Sequence, residues 1–233
     1  MIMNKTWLLI AGLALMALMP LVESPIEEQL IEQSSTYGGC TFTIFHFSNI
    51  KPSLVVAFGG GYDRPNVTIS TPEEKILQFC RDMAKSFDVA LVSDFIFPDS
   101  KGTLDDFFAR ELTLYEHVHL FGISAGAVVV MYYAQESTNI SSGIVCSAPA
   151  DYSPLTGPKP QHYWHLAETA NMTKIPLMFV IPSLDENFAE QMLKYYERDP
   201  VEKCIVYWNT THNPLDWEPY QLSMVSLWWF ISH

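Results

Sequence analysis

The chain has 233 residues, of which 48% are hydrophobic and 17% are charged, so it holds enough apolar material for one buried core and lacks the composition of a disordered protein. Acidic residues outnumber basic residues by 26 to 13, and Lys and Arg form no cluster along the sequence. The electrostatic field of such a molecule repels phosphate backbones and anionic lipid, so nucleic acid is not an expected partner.

The N-terminal segment has the layout of a signal peptide. Lys5 precedes an apolar run from Trp7 to Met19, and a polar, acidic stretch follows. This run is shorter than the roughly 20 residues that a helix needs to cross a bilayer. We therefore expect a signal peptide over residues 1–24, a single domain over residues 25–233, and a secreted protein, extracellular or in the lumen of the secretory pathway, with no stable membrane insertion after cleavage. An uncleaved anchor is the alternative.

The asparagines support the secretory route independently. Five of the eight asparagines begin an N-x-Ser/Thr triplet without Pro in the middle, which is the acceptor sequence for N-glycosylation. Four of these triplets lie beyond the expected signal peptide, and they predict glycans on Asn66, Asn139, Asn171 and Asn209.

Four cysteines could form disulfides in an oxidising compartment. They are Cys40, Cys80, Cys146 and Cys204, and because no C-x-x-C unit is present, we expect no zinc site. Spacing alone leaves all three complete pairings open. Cys146 and Cys204 lie in apolar, strand-like runs, where a buried inert thiol is the commonest state. Cys40 with Cys80 is therefore the first disulfide to test.

Strand-like and helix-like segments alternate beyond residue 40, which predicts an α/β domain with a mostly parallel central sheet flanked by helices. Residues 25–38 are polar and are predicted to be an irregular lead-in. The predicted strands are residues 40–47, 53–58, 89–93, 117–121, 143–147, 176–181 and 204–208. The predicted helices are residues 71–86, 104–115, 125–135, 188–198 and 215–231. Residues 148–174 contain four prolines and no clear period, and this length predicts a minimal lid or none.

The central chemical motif is Gly122-Ile123-Ser124-Ala125-Gly126, between an apolar strand and a helix of small residues. It resembles the G-x-S-x-G nucleophile elbow of the α/β-hydrolase family, which requires this strand-turn-helix context. In such an elbow the serine lies in a strained turn, and the two glycines let neighbouring backbone pass without a Cβ clash. The resemblance implies the α/β-hydrolase fold, with Ser124 as the nucleophile.

A serine hydroxyl needs a histidine to accept its proton and a carboxylate to orient that histidine. The family order along the chain is serine, acid, histidine. Asp185 follows the predicted strand 176–181, and His212 follows the last predicted strand. Both positions are at carboxyl ends of strands, where open α/β sheets build their sites. The resemblance therefore implies Asp185 as the acid and His212 as the base.

Both roles have rivals in the sequence. Glu186 is adjacent to Asp185, and Asp151 follows the preceding predicted strand, so the acid has two alternatives in the sequence. The other six histidines lie in strands before the elbow, in the irregular segment or at the chain end; they are His46, His117, His119, His162, His165 and His233.

A glycine run, Gly59 to Gly61, follows the second predicted strand and comes directly after Phe58. It resembles the His-Gly-Gly-Gly oxyanion motif of lipases and esterases, with Phe58 where the family commonly has histidine. The resemblance implies an oxyanion hole formed by the backbone N–H of Ala125 and that of Gly60 or Gly61. A plain glycine turn is the alternative. A phosphate-binding loop is disfavoured because no Lys follows the glycines.

Together these features predict a secreted serine hydrolase that cleaves carboxylic esters, either small molecules or lipids, through an acyl-enzyme and without a metal or cofactor. A peptidase or thioesterase of the same fold and a catalytically silent binding protein are the alternatives. Ser124-Ala-Gly-Ala127 is also similar to the peptidase E and cyanophycinase group, but there the glycine loop precedes the serine by a short interval, whereas Gly61 and Ser124 are far apart in this chain.

Overall fold

The computed structural model describes residues 29–61, 67–69, 74–97, 99–149, 166–210 and 219–233. The described strands are β1 (Ile31–Tyr37), β2 (Cys40–His46), β3 (Ser53–Phe58), β4 (Val67–Ile69), β5 (Asp88–Ser93), β6 (Phe95–Phe97), β7 (His117–Ile123), β8 (Ser142–Cys146), β9 (Leu177–Pro182) and β10 (Lys203–Trp208). The described helices are α1 (Glu74–Met83), α2 (Lys101–Glu111), α3 (Ala125–Glu136), α4 (Glu186–Arg198) and α5 (Pro219–Ser232).

An eight-stranded sheet organises the molecule, with the order β1-β2-β5-β3-β7-β8-β9-β10. The six strands from β5 to β10 in this order are parallel, whereas β2 is antiparallel to β5 and β1 is antiparallel to β2. The predicted α/β class with a mostly parallel sheet is confirmed. All seven predicted strands are present, with ends that differ by no more than two residues.

Two regions differ from the prediction. The lead-in expected at residues 25–38 contains β1, which pairs along its whole length with β2. Six of its seven residues are exposed, because β1 is an edge strand and buries no face, so it lacks the alternation that identifies a strand in sequence. Strands β4 and β6 form a separate two-stranded sheet, and three residues are too few to show a period.

The core has two layers, one on each face of the sheet. Alternate residues of β3 enter different layers: Leu54, Val56 and Phe58 face one, and Val55 and Ala57 face the other. The first layer is closed by α2, α3 and α4, and the second by α1 and α5. Burial of nearly continuous apolar strands on both faces is what a parallel sheet requires.

The structure corrects the expected disulfide. All four cysteines are free thiols, and Cys40 and Cys80 belong to different core layers, on opposite faces of the sheet. Cys146 and Cys204 share a face, but β9 separates their strands. Strands two places apart are about 10 Å from each other, beyond the reach of a disulfide.

Candidate active site

The turn between β7 and α3 carries Ser124 in an unusual backbone conformation. Its φ is 53° and its ψ is −116°. Residues other than glycine rarely adopt this backbone region, which costs about 1 to 3 kcal/mol. The N–H of Ser124 donates to the carbonyl of Cys146 on β8 at 2.9 Å, and the N–H of Ala127 donates to the carbonyl of Ser124 at 3.1 Å. The surrounding sheet and helix therefore hold the strained turn in place.

The two flanking glycines are required by close backbone packing. A Cβ on Gly122 would lie 2.5 Å from the carbonyl oxygen of Gly126, and a Cβ on Gly126 would lie 2.6 Å from the carbonyl oxygen of Gly59. Real Cβ atoms do not make such contacts. The first turn of α3 thus packs directly on the chain that leaves β3, which gives the G-x-S-x-G spacing a steric cause.

The glycine run after β3 lies beside the serine. A Cβ on Gly60 would lie 3.6 Å from the side-chain Cβ of Ser124, so the glycine run passes close to the serine side chain. Phe58 is fully buried in the first core layer, where its ring meets that of Phe95 edge-on with centroids 6.0 Å apart. The residue that replaces the family's usual histidine is therefore a core side chain here.

The turn after β9 carries Asp185, which caps α4 by accepting from the N–H of Phe188 at 3.3 Å. The same turn is bonded to the chain that leaves β10. The N–H of Ser183 donates to the carbonyl of Trp208 at 2.8 Å, and the N–H of Leu184 donates to the carbonyl of Thr210 at 3.0 Å. These bonds hold Leu184, the neighbour of Asp185, against Thr210, which precedes His212 by two residues.

His212 and Asp151 lie outside the described residues, as do Asn66, His162 and His165. Ser124, Asp185 and the glycine run follow β7, β9 and β3 respectively, so all three lie at the carboxyl edge of the parallel strands. The rival acid Glu186 is the exposed first residue of α4. The structure thus brings the described candidate residues to one edge of the sheet.

The other described histidines lie at the opposite edge. His117 and His119 occupy the first half of β7, and His46 ends the antiparallel β2. His233 approaches Glu202, which precedes β10, with His Nε2 and the carboxylate oxygen 3.6 Å apart. Five residues of strand are about 16 Å long, so His119 is far from Ser124, and burial lowers its pKa to about 4.

Two further residues at this edge share the strained backbone and were not predicted from the sequence. Ser147 has φ 49° directly after β8, and Asp94 has φ 53° directly after β5. Ser147 is fully buried, and its hydroxyl finds no hydrogen-bond partner among the described residues. The adjacent thiol of Cys146 is buried, which raises its pKa and keeps it protonated rather than nucleophilic. The positive φ of Ser147 and of Asp94 could not be predicted from the sequence, because no glycine or turn motif marks these positions.

The described ranges contain no cluster of three or more His, Cys, Asp or Glu side chains that could hold a metal ion. Within the same ranges, no helix combines the length and apolar character needed to span a membrane.

Comparison with known proteins gives likenesses in structure only. No protein-family model matches the chain, and no curated protein sequence matches it. A solved esterase/lipase from an uncultured bacterium is 14% identical over 87% of this chain and 84% of its own, with a TM-score of 0.65. A dienelactone hydrolase from Anabaena variabilis is 13% identical over 88% of this chain and 98% of its own, with a TM-score of 0.62.

A thioesterase domain from the curacin biosynthetic pathway is 12% identical over 85% of this chain and 99% of its own, with a TM-score of 0.60. These structures have the α/β-hydrolase fold, and the mostly parallel eight-stranded sheet and the flanking helices of this chain match it. The chain therefore has the α/β-hydrolase fold.

Proposed function

We propose that this chain is a secreted, N-glycosylated serine hydrolase that cleaves carboxylic esters. Ser124 attacks the ester carbonyl carbon and transfers its proton to His212, which passes it to the leaving alcohol. Water then attacks the acyl-enzyme, with His212 as the base, and the acid and the free serine are released. Asp185 orients His212 and stabilises its charged form.

The observation that carries the proposal is the backbone of Ser124. A serine at φ 53° between a buried strand and a buried helix costs free energy. Helix capping does not account for it, since the side chain makes no cap hydrogen bond to α3. Such strain clusters at functional sites, and Ser124 combines it with the G-x-S-x-G strand-turn-helix context, which the fully buried Ser147 lacks. The half-buried position of Ser124 suits a nucleophile that meets its substrate at a cleft.

The pairing of Asp185 with His212 is supported by the chain around them. The hydrogen bond from Leu184 to Thr210 joins their two turns, and two residues of chain span only about 7 Å. So short a span of chain supports the proposed pairing of His212 with Asp185. The described rivals for the base are all at the far edge of the sheet.

The oxyanion hole in this proposal consists of the N–H groups of Ala125 and of Gly60 or Gly61. Ala125 opens α3, so its N–H belongs to the unpaired donors of the helix N-terminus, which favour negative charge. The closeness of Gly60 to Ser124, where an added Cβ would lie 3.6 Å from the serine Cβ, supports the choice of the glycine run as the second donor. Such donors stabilise the tetrahedral intermediate.

The secretory part of the proposal is supported by the asparagines. Asn139, Asn171 and Asn209 are exposed, as a glycan acceptor must be. Asn209 lies directly after β10, three residues before His212, so a glycan there would border the site. Asn66, the signal peptide over residues 1–24 and secretion itself belong to the same proposal.

A fluorophosphonate probe tests the nucleophile. We expect the purified protein to be labelled and Ser124→Ala to be unlabelled. Ser147→Ala is the matched control, because Ser147 is also a positive-φ serine one strand away, and it should be labelled as strongly as the parent. Labelling that persists in Ser124→Ala, or its absence from folded parent protein, contradicts the proposal. The second outcome would favour a silent binding protein.

A thioesterase of the same fold is the second candidate, because one similar structure is a thioesterase domain. The two activities use the same triad and differ in the leaving group. Matched oxygen and thiol esters of one acyl chain separate them: the proposal expects the higher kcat/KM on the oxygen ester.

A further inference from the structure

Helix α5 presents an apolar face to solvent. Its sequence from Pro219 to Ser232 contains no Asp, Glu, Lys or Arg. One side docks on the second core layer through Leu222, Trp229 and Phe230. The opposite side carries four large side chains at spacings of four, four and three residues, which we call the α5 stripe: Tyr220 (64% exposed), Met224 (48%), Trp228 (57%) and Ile231 (69%).

The neighbouring helices show that this exposure is specific to α5. Helix α1 packs beside α5 on the same face of the sheet, yet its exposed side carries Glu74 and Lys75. Helix α4 is likewise amphipathic, with Glu190 and Lys194 paired in solvent at 3.2 Å. A surface helix normally has such a charged outer face, and a helix that is apolar all round is normally covered on all sides.

The dimensions and chemistry of the α5 stripe fit a lipid surface. A helix of 14 residues is about 21 Å long, too short for a hydrocarbon core of about 30 Å, so α5 can lie on a bilayer but cannot cross it. Trp and Tyr are the side chains that favour the boundary between water and lipid. Because the molecule has a formal net charge of −13, the favoured surface has uncharged or zwitterionic headgroups.

A second copy of the chain fits less well. A stable dimer buries about 800 Å² and 20 or more residues on each subunit, whereas the stripe has four large side chains on one helix. Two copies would also bring together two strongly acidic molecules without any Lys or Arg in α5 to offset the repulsion.

We propose that the α5 stripe docks this protein on the surface of uncharged lipid, so that its ester substrates are water-insoluble lipids presented at that surface. The docking itself stands on the stripe, and the identification of the substrate rests on the proposed esterase activity. Partial burial of the stripe in the headgroup region would remove four apolar side chains from water, which drives adsorption.

Flotation with phosphatidylcholine vesicles tests the docking without using activity. We expect the parent protein to float with the vesicles and the double variant Met224→Glu with Trp228→Glu to lose at least tenfold in partitioning. Leu114→Glu is the control, because Leu114 is equally exposed at 66% but follows α2 on the opposite face of the sheet. It should float like the parent.

Failure of the parent to float, or flotation of the double variant at the parent's level, overturns the docking. Sedimentation velocity in lipid-free buffer is run on the same proteins. A dimer that the double variant dissociates, in a parent that does not float, would assign the stripe to a second copy instead.

Kinetics then separate docking from catalysis. On an emulsified long-chain ester, the double variant should lose at least tenfold in rate, while its rate on a soluble short-chain ester should equal that of the parent. Equal loss on both substrates overturns the assignment of lipid substrates. A parent protein that floats but hydrolyses neither ester leaves the docking intact and contradicts the esterase proposal and the lipid substrate that rests on it.

Discussion

Among single residues, a few positions of the serine turn tolerate neither another backbone conformation nor a larger side chain. Gly122, Ser124 and Gly126 are fixed by one another: the serine's strained φ is held by the strand, and the helix start fits only because two Cβ atoms are missing. The motif could be identified from sequence because each of these requirements selects one residue type. The positive φ of Ser147 could not, since tertiary contacts alone impose it.

Gly126→Ala tests this steric account. The new Cβ would meet the carbonyl groups of Phe58 and Gly59, so β3 and α3 must separate, and we expect a loss of about 2 kcal/mol or more in the free energy of unfolding. Gly102→Ala in α2 is the control, because nothing lies within 4 Å of its Cβ position, and it should stabilise by about 0.5 to 1 kcal/mol. Urea unfolding of the three proteins measures both. Equal stability of the Gly126 variant and the parent would contradict the packing described here.

His212→Ala tests the proposed base. Loss of the proton acceptor should lower kcat for ester hydrolysis by about 10³-fold or more. We expect little change in melting temperature, because His212 lies beyond the last predicted strand in the sequence. His46→Ala, at the opposite edge of the sheet, should retain the parent's rate. Unchanged turnover in His212→Ala refutes the assignment.

At the level of helices and strands, the central strands were predictable because their apolar runs match burial on both faces of the sheet. The five α-helices within the described ranges were predicted as well. The edge strand β1 was not predictable, because it contains Gln33, Ser34 and Ser35 and is held by pairing with β2 rather than by burial. The docking of α5 on β7 also required the structure. There His119, whose Nδ1 lies 2.9 Å from the hydroxyl of Ser142, packs against Phe230 with ring centroids 4.9 Å apart.

This buried histidine makes the contact between β7 and α5 sensitive to acid. Burial, with smaller contributions from His117 and His233, lowers the pKa of His119 from 6.5 to about 4. Between pH 4 and pH 6.5, His119 binds a proton in the unfolded chain but not in the native state. The contribution of neutral His119 to the free energy of unfolding is therefore complete above pH 6.5 and is lost as the pH falls towards 4.

His119→Gln keeps a hydrogen-bonding group for Ser142 but does not titrate. We expect the melting temperature of the parent to exceed that of this variant most at pH 7.5, and the difference to shrink as the pH falls from 6.5 to 4. Burial raises the pKa of Asp199 to about 6, so Asp199 stabilises the fold as the pH falls. This effect is the same in the parent and the variant and cancels in the comparison. A difference that stays constant across this range would contradict a neutral buried His119.

In the whole molecule, Ser124 and the apolar helix α5 are attached to the same eight-stranded sheet. The acidic charge was evident from composition, and it disfavours anionic partners such as nucleic acid and anionic lipid. Composition did not determine the state of the cysteines, because which face of the sheet each occupies depends on strand order. The likeness to esterases and a thioesterase, at 12% to 14% identity, fixes the architecture and leaves the chemistry to be measured.

The most direct measurement of the central claim is mass spectrometry of the protein quenched within milliseconds of mixing with an activated ester. We expect a covalent acyl adduct on the peptide that contains Ser124. The adduct should form in a burst whose amount equals that of the enzyme, and it should be absent from Ser124→Ala. An adduct on any other peptide, or turnover without an adduct, would contradict it.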